Sequence, residues 1–327
     1  MKKTIILTGA FGYIGSHTAK IFKQAGYDVF GIDREHTIPE AAPFLDIWLK
    51  SDFADALPTL LSNNLDVEAI VHCAGTSLVG PSLDNPGLYY DNNTAKTNQM
   101  LHEIRNLDWS GIIVFSSSAA VYGNNCVSPI EESADGFPVS AYGWSKKFCE
   151  QVLHDHSRAH GMRTIALRYF NAAGCDTFGE LGHVKDDTHI IPRILSAHQN
   201  NKKFVLNGND FKTSDGTCVR DYLHVNDIAQ AHLSAVMLGQ ALDFGEFRGY
   251  NLGTGMGYSN LQVIEACERA VGSSIDYEIG ARRIGDPDVL VADGSCFQKD
   301  SGWRPKNSDI NTICQTAWSW QKNINML

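Results

Sequence analysis

Short apolar runs recur along the first half of the chain, and each one stops at a polar or glycine-rich turn. Thr4 to Leu7 passes into Thr8-Gly9-Ala10-Phe11-Gly12-Tyr13-Ile14-Gly15, and Ser16 to Ala25 then carries the spacing of an amphipathic helix closed by Gly26. Asp28 to Ile32 ends in Asp33, Ala69 to Cys73 in Ala74-Gly75, and Ile112 to Phe115 in Ser116-Ser117-Ser118. Arg163 to Arg168 is a further run, and helical stretches separate them all. Compact β-rich runs alternating with longer helical patterns predict an α/β fold of Rossmann type, a doubly wound parallel sheet whose ligands sit at the carboxyl ends of its strands. Every turn quoted above lies at such an end.

Beyond Arg168 the alternation gives way to longer polar connections around Asn171 to His189 and Asn207 to Val219. The pattern predicts a first domain over residues 1–170 and a smaller C-terminal, mainly substrate-binding lobe over residues 171–327, with some of its segments returning to the first. No internal repeat or flexible linker separates them, so the site is expected between two packed lobes.

A chain of 327 residues with 43% apolar and 20% charged residues has ample material for a core, which excludes a disordered or disulfide-scaffolded chain. With 27 Lys and Arg against 37 Asp and Glu, the net charge of −10 argues against nucleic acid and anionic membrane as partners. No apolar stretch is long enough to span a bilayer, and Lys2-Lys3 with its short apolar run reads as a first strand rather than a leader. Eight cysteines are scattered without a C-x-x-C pair or a histidine at metal spacing. Reduced thiols, a cytoplasmic setting and no metal are expected.

Glycines 9, 12 and 15 after a strand let the backbone turn sharply and approach a pyrophosphate, with the positive end of a helix facing it. Glycines kept for packing are the plainer alternative. Asp33, 18 residues after Gly15, tips the balance, because a carboxylate there binds adenosine ribose hydroxyls and repels a 2′-phosphate. NAD is predicted over NADP, with Arg34 as a solvated loop residue.

Tyr142 and Lys146 stand at i and i+4, on one face of a helix. A phenol of pKa about 10 is ionised only to roughly one part in a thousand at pH 7, so general-base work needs a nearby cation, which Lys146 and an oxidised nicotinamide supply. Ser118, at a strand end, offers a hydroxyl to a substrate alcohol or carbonyl. Singly these are an interfacial tyrosine, a surface lysine and a serine-rich turn. Together, downstream of a dinucleotide loop, they point to proton removal from an alcohol coupled to hydride transfer.

These residues resemble the extended short-chain dehydrogenase/reductase family. The likeness is carried by Thr8-Gly9 through Ile14-Gly15-Ser16-His17, Tyr89-Tyr90-Asp91-Asn92-Asn93, Ser116 through Gly123, Tyr142 through Lys146, Leu167 through Asn171 and Tyr250 through Gly253. Gly208 through Phe211, Asp215 through Tyr222 and Arg282-Arg283-Ile284-Gly285-Asp286 are closest to the branch of UDP-glucose 4-epimerases. The resemblance implies reversible epimerisation at C4 of a UDP-hexose, UDP-galactose to UDP-glucose, on tightly held NAD. It implies Ser118, Tyr142 and Lys146 as catalytic residues. It implies NAD binding by the loop Gly9, Gly12, Tyr13, Ile14 and Gly15, by Asp33, Asp52, Phe53, Cys73, Ala74, Gly75 and Asn93, and by Lys146 and Phe170. Asn171, His189, Ile190, Arg220, Arg283 and Asp286 would bind the UDP-sugar with Ser118 and Tyr142. A homodimer through helices around Leu88 to Ile104 and Tyr142 to Ala159 is likewise implied.

This sequence departs from the family pattern in places. The Asp33 to Asp52 segment is short, Ser77 and Trp144 stand where many members carry lysine, and Leu290 occupies a position that gates N-acetylated sugars. From spacing alone, Arg220 is as well explained by an ion pair with Asp221 or Asp227 as by a ligand. Other readings are a C4 epimerase of another UDP-sugar, whether N-acetylhexosamine, pentose or uronic acid, a nucleotide-sugar 4,6-dehydratase, and a non-enzymatic NAD-binding regulator. Ala119-Ala120 argues against the dehydratase, because alanines cannot transfer the protons that elimination requires.

Overall fold

The computed structural model describes residues 2–62, 66–107, 109–183, 189–283 and 285–324, so Ile284 of the Arg282 to Asp286 segment lies outside the described residues. The first half runs β1 (Thr4–Thr8), α1 (Tyr13–Gln24), β2 (Asp28–Asp33), β3 (Ile47–Lys50), α2 (Phe53–Ser62), β4 (Val67–His72), α3 (Val79–Asp84), α4 (Pro86–Tyr89), α5 (Lys96–Ile104), β5 (Ile112–Ser118), α6 (Ala141–His160) and β6 (Arg163–Tyr169). The second half adds β7 (Asn171–Ala173), α7 (Ile190–Gln199), β8 (Phe204–Asn207), β9 (Val219–Arg220), β10 (Tyr222–His224), α8 (Val225–Gly239), β11 (Phe247–Leu252), β12 (Tyr258–Ser259), α9 (Asn260–Val271), β13 (Tyr277–Gly280), β14 (Val289–Leu290), α10 (Ser295–Ser301) and α11 (Ile310–Ile324).

Among the described residues, seven strands form one parallel sheet in the order β11-β6-β5-β4-β1-β2-β3. This is the doubly wound arrangement that the alternating pattern predicts. The strand order reverses between β1 and β4, which opens a ligand crevice at their carboxyl ends. Side chains alternate across β1. Ile5 and Leu7 join a core with Phe22, Ile228 and Val236, while Ile6 faces Leu57, Met100 and Leu153 in the opposite layer.

Two strands of this sheet escape the apolar-run reading. β3 is an edge strand of Ile47-Trp48-Leu49-Lys50 left largely exposed, and β11 is Phe247-Arg248-Gly249-Tyr250-Asn251-Leu252, whose first half is not buried. α1 begins at Tyr13 rather than Ser16, because Gly12 in extended conformation serves as its N-cap.

The smaller lobe is built from β8 with β13, β9 with β12 and β14, and β7 with β10. Around them α7, α9 and α11 enclose a core of Ile191, Leu195, Phe204, Ile264 and Ile313. α8 and β11 from the second half return to the large sheet, where β11 extends β6 and α8 packs on α1.

Candidate active site

The loop after β1 approaches its neighbours so closely that side chains are excluded. Gly9 has φ +70, and a Cβ there would fall 2.7 Å from the Ala74 nitrogen; one on Gly15 would fall 2.0 Å from the Gly9 carbonyl. Gly12 has no side chain with which to cap α1, so the first-turn N–H groups of Tyr13 and Ile14 stay open to an anion. The Asp33 carboxylate accepts from the Phe11 N–H at 2.9 Å and the Glu35 N–H at 3.2 Å, which ties the end of β2 to the loop. Tyr13 donates its hydroxyl to the Gly174 carbonyl at 2.5 Å, joining this loop to the second half of the chain.

Asp52 caps α2 through Ala54 N–H and pairs with Lys96. The Phe53 ring is buried 4.6 Å from His72. Asn93 is buried between the Ala74 side of the crevice and α6: its Oδ1 accepts from Thr76 N–H at 2.7 Å and its amide donates to Ser145 Oγ at 2.9 Å. Burial pushes the Cys73 thiol up to about 11, so it is a neutral lining group. Phe170 is half-buried, with its ring 6.5 Å from Tyr122.

Across this crevice β5 ends at Ser118, whose Oγ accepts from Ala120 N–H at 3.2 Å. α6 starts against the next turn, with Ser140 Oγ accepting from Gly143 N–H at 3.1 Å. A Cβ on Gly143 would lie 2.5 Å from the Ala120 carbonyl, so glycine is what lets the first turn of α6 seat there. Tyr142 is half-buried in that turn, its ring 6.2 Å from Tyr89. One turn later Lys146 is 5% exposed; Nζ donates to the Ser116 carbonyl at 2.9 Å and lies 4.7 Å over the Phe115 ring. Nζ also sits 3.4 Å from where a Gly75 side chain would begin, at the cofactor side of the crevice. Two turns along from Tyr142, Glu150 engages the guanidinium of Arg168 with contacts of 2.7 to 3.2 Å, which locks α6 onto β6. Removing one partner would strand a buried charge at a cost of about 3–5 kcal/mol. The Tyr169 hydroxyl is buried beside the Ser116 side chain.

A cavity of about 1080 Å³ continues from Tyr13 into the smaller lobe and is lined by Asn171, His189, Ile190, Arg220, Arg283 and Asp286. Ser118, Tyr142 and Lys146 are not among its lining residues; they stand over the sheet, and the predicted binding residues gather in the lobe. Arg220 is 9% exposed and donates to the carbonyls of Val219 and Pro287, both at 2.9 Å, with its second nitrogen 3.8 Å from Asp286. The ion-pair alternative with Asp221 or Asp227 is therefore wrong. Asp221 instead accepts from Thr254, Gly255 and Ala292, and Asp227 from Lys306, Asn307 and Ser308. Burial raises the pKa of the Asp221 carboxyl.

Sequence reasoning missed Asn207, whose amide oxygen, turned toward Arg283, accepts from its Nε at 2.9 Å and Nη2 at 3.3 Å. It also missed Ser116, Gly143 and Tyr169. The one signal available was their position inside motifs whose other members drew attention. The departures find structural roles: the Ser77 carbonyl accepts from the Tyr89 hydroxyl at 2.8 Å, Trp144 stacks edge-on with Phe137 at 5.0 Å, and Leu290 packs beside Tyr122 and Ile130.

Known proteins share this arrangement. The model of the NAD dependent epimerase/dehydratase family matches residues 5–253. A UDP-glucose 4-epimerase of Lactobacillus helveticus is 37% identical over 325 residues, 98% of this chain and 97% of its own. The solved UDP-glucose 4-epimerase from Stenotrophomonas maltophila, with bound NAD and formylated UDP-arabinopyranose, superposes with a TM-score of 0.92 at 30% identity, covering 99% of each chain. That from Bifidobacterium longum, in complex with NAD+ and UDP, gives 0.90 at 33% identity over 99% of this chain and 100% of its own. A glycine cradle at the sheet's reversal, a Ser, Tyr and Lys set beside it and a match over nearly the whole length lead to one conclusion: the chain belongs to the NAD dependent epimerase/dehydratase family, where its relatives are UDP-glucose 4-epimerases.

Proposed function

We propose that this chain interconverts UDP-galactose and UDP-glucose by reversible epimerisation at C4, with NAD as its resident cofactor. The residues present fit that cofactor: the loop from Gly9 to Gly15 leaves a cradle that any Cβ would fill, and Asp33 stands where ribose hydroxyls would meet it. NAD held there would supply reversible hydride acceptance from the sugar's C4 and return to it.

The observation that carries the reading is the seating of α6, whose first turn packs on the Ala120 carbonyl just after Ser118 and which carries Tyr142 and a buried, anchored Lys146 one turn apart. Tyr142 Oη takes the proton of the 4-hydroxyl and later returns it, Ser118 Oγ hydrogen-bonds the same oxygen, and Lys146, anchored on the Ser116 carbonyl, stands one turn away on the same face. Asp33, Asp52, Phe53, Cys73, Ala74, Gly75, Asn93 and Phe170 would line the NAD site. Asn171, His189, Ile190, Arg220, Arg283 and Asp286 would hold the nucleotide and leave the hexose free to turn over. Arginine suits this task, because its fork of N–H donors matches phosphate oxygens. Ala119 and Ala120 offer no acid or base for elimination.

Purified protein given UDP-galactose should yield UDP-glucose without added NAD or with catalytic amounts of it. Failure at saturating NAD would remove the substrate assignment. Tyr142→Phe should lower turnover by at least about a hundredfold while UDP binding, read by calorimetry, stays near native. The relative that holds formylated UDP-arabinopyranose favours a second reading, C4 epimerisation of a UDP-pentose, and UDP-arabinose belongs in the same assay.

A homodimer is part of the proposal. An aromatic ladder of Phe137, Trp144, Phe148 and Tyr90, with centroid spacings of 5.0, 5.4 and 6.1 Å, runs along the outer side of α6, where Phe148 is 42% exposed. A second copy with the same face would cover it, in a cytoplasmic enzyme. A sedimentation profile of a single chain would reject this.

A further inference from the structure

Three consecutive serines close β5, and the mechanism above uses Ser118 alone. Ser117 Oγ donates to Glu150 at 2.5 Å. Ser116 has two tasks: its carbonyl accepts from Lys146 Nζ at 2.9 Å, and its hydroxyl lies 3.2 Å from His232 Nε2. The β4–β5 pairing stops at His72 and Phe115, so Ser116, Ser117 and Ser118 have a sheet neighbour on the β6 side only. On the open side the side chain of Ser116 reaches Cys73 Sγ, 3.1 Å away, and His232 on α8.

His232 is 0% exposed. Its Nδ1 lies 2.9 Å from the Ile228 carbonyl, which can only accept, so Nδ1 carries the hydrogen and Nε2 presents a lone pair to the Ser116 hydroxyl. Burial pushes the imidazole down to about 4, so this neutral form persists throughout the working range of pH. The Tyr169 ring is 5.8 Å away.

We infer that His232 is a positioning residue for catalysis: by accepting from Ser116 Oγ it braces the unpaired end of β5, and so fixes the carbonyl on which Lys146 is anchored. This rests on the epimerase reading. His232 touches neither substrate nor reacting atoms; it acts through Ser116 on the placement of Lys146, one helical turn from Tyr142. The titratable groups facing His232 are Cys73 and Tyr169.

The test compares His232→Leu, His232→Gln and Ser116→Ala with the parent holoenzyme. His232→Leu should lower kcat about tenfold and leave KM for the UDP-sugar within about twofold, because a displaced lysine no longer holds the reacting geometry. A crystal structure of the variant should show Lys146 Nζ withdrawn from the Ser116 carbonyl. Ser116→Ala should reproduce both effects, and the double variant should be no worse than either single one. His232→Gln, which keeps an acceptor at the Nε2 position, should restore most of kcat. If the parent protein epimerises nothing, the reading beneath falls, while the displacement of Lys146 still judges the positioning role. If the folded variants keep the parental kcat and the parental Lys146 contact, or if their losses add, the inference is overturned.

Discussion

In the proposed nucleotide site, Asn207 would set how Arg283 meets a phosphate. With its amide oxygen assigned toward Arg283 it accepts from Nε and one Nη, which leaves the other N–H donors of the guanidinium for a ligand. A hydrogen bond of this charge-assisted kind contributes about 1 kcal/mol or somewhat more. Asn207→Leu should therefore raise KM for the UDP-sugar about three- to tenfold and leave kcat within about twofold, as steady-state kinetics would read. An equal loss of kcat would mean that Asn207 serves the chemical step. The sequence names Arg283 and passes over Asn207, because an asparagine before Gly208 reads as a turn residue. Tyr142 and Lys146 are readable for the opposite reason: their spacing alone fixes a shared face. Spacing offers Arg220 only Asp221 and Asp227 as nearby acids, because Asp286, the carboxylate it approaches, lies 66 residues away in sequence, and the nearer acids are spent on backbone N–H groups.

The seating of α6 opposes helix propensity to contact. Alanine is intrinsically better than glycine inside a helix by about 1 kcal/mol, yet a Cβ at position 143 would press on the Ala120 carbonyl. Gly143→Ala should thus lower the melting temperature rather than raise it. It should also cut kcat about ten- to a hundredfold by tilting Tyr142 away from Ser118. A variant that melts higher and turns over normally would show that the turn after β5 yields freely. Elements buried on both faces, such as β1, β4 and β5, announce themselves as apolar runs. β3 and β11 carry Lys50, Arg248 and Gly249 because they form the two edges of the sheet, and no short window distinguishes such strands from loops.

The whole molecule buries imidazoles in both lobes. His17, His72, His224 and His232 are at most 1% exposed, and burial lowers them to about 4, 3, 4 and 4. In the unfolded chain each titrates near 6.5, so between that value and the folded one the unfolded state binds more protons. The stability they contribute is present above pH 6.5 and is lost as pH falls toward 4, at roughly 2 kcal/mol apiece between pH 7.5 and 5. Asp221, with its raised carboxyl, opposes the trend as a single group. Urea midpoints should drop steeply across that window, and a flat profile would contradict the buried neutral imidazoles. The overall architecture was accessible to pattern reading because βαβ units repeat. The return of α8 and β11 to the large sheet was foreseen there only as segments that come back, without their identity. That return has a consequence for synthesis. While the polypeptide is still emerging from the ribosome, β6 has a naked flank and α1 an uncovered apolar side until residue 252 has cleared the exit tunnel. Release of the first 170 residues alone would yield a sticky fragment, one that depends on holding chaperones or is degraded.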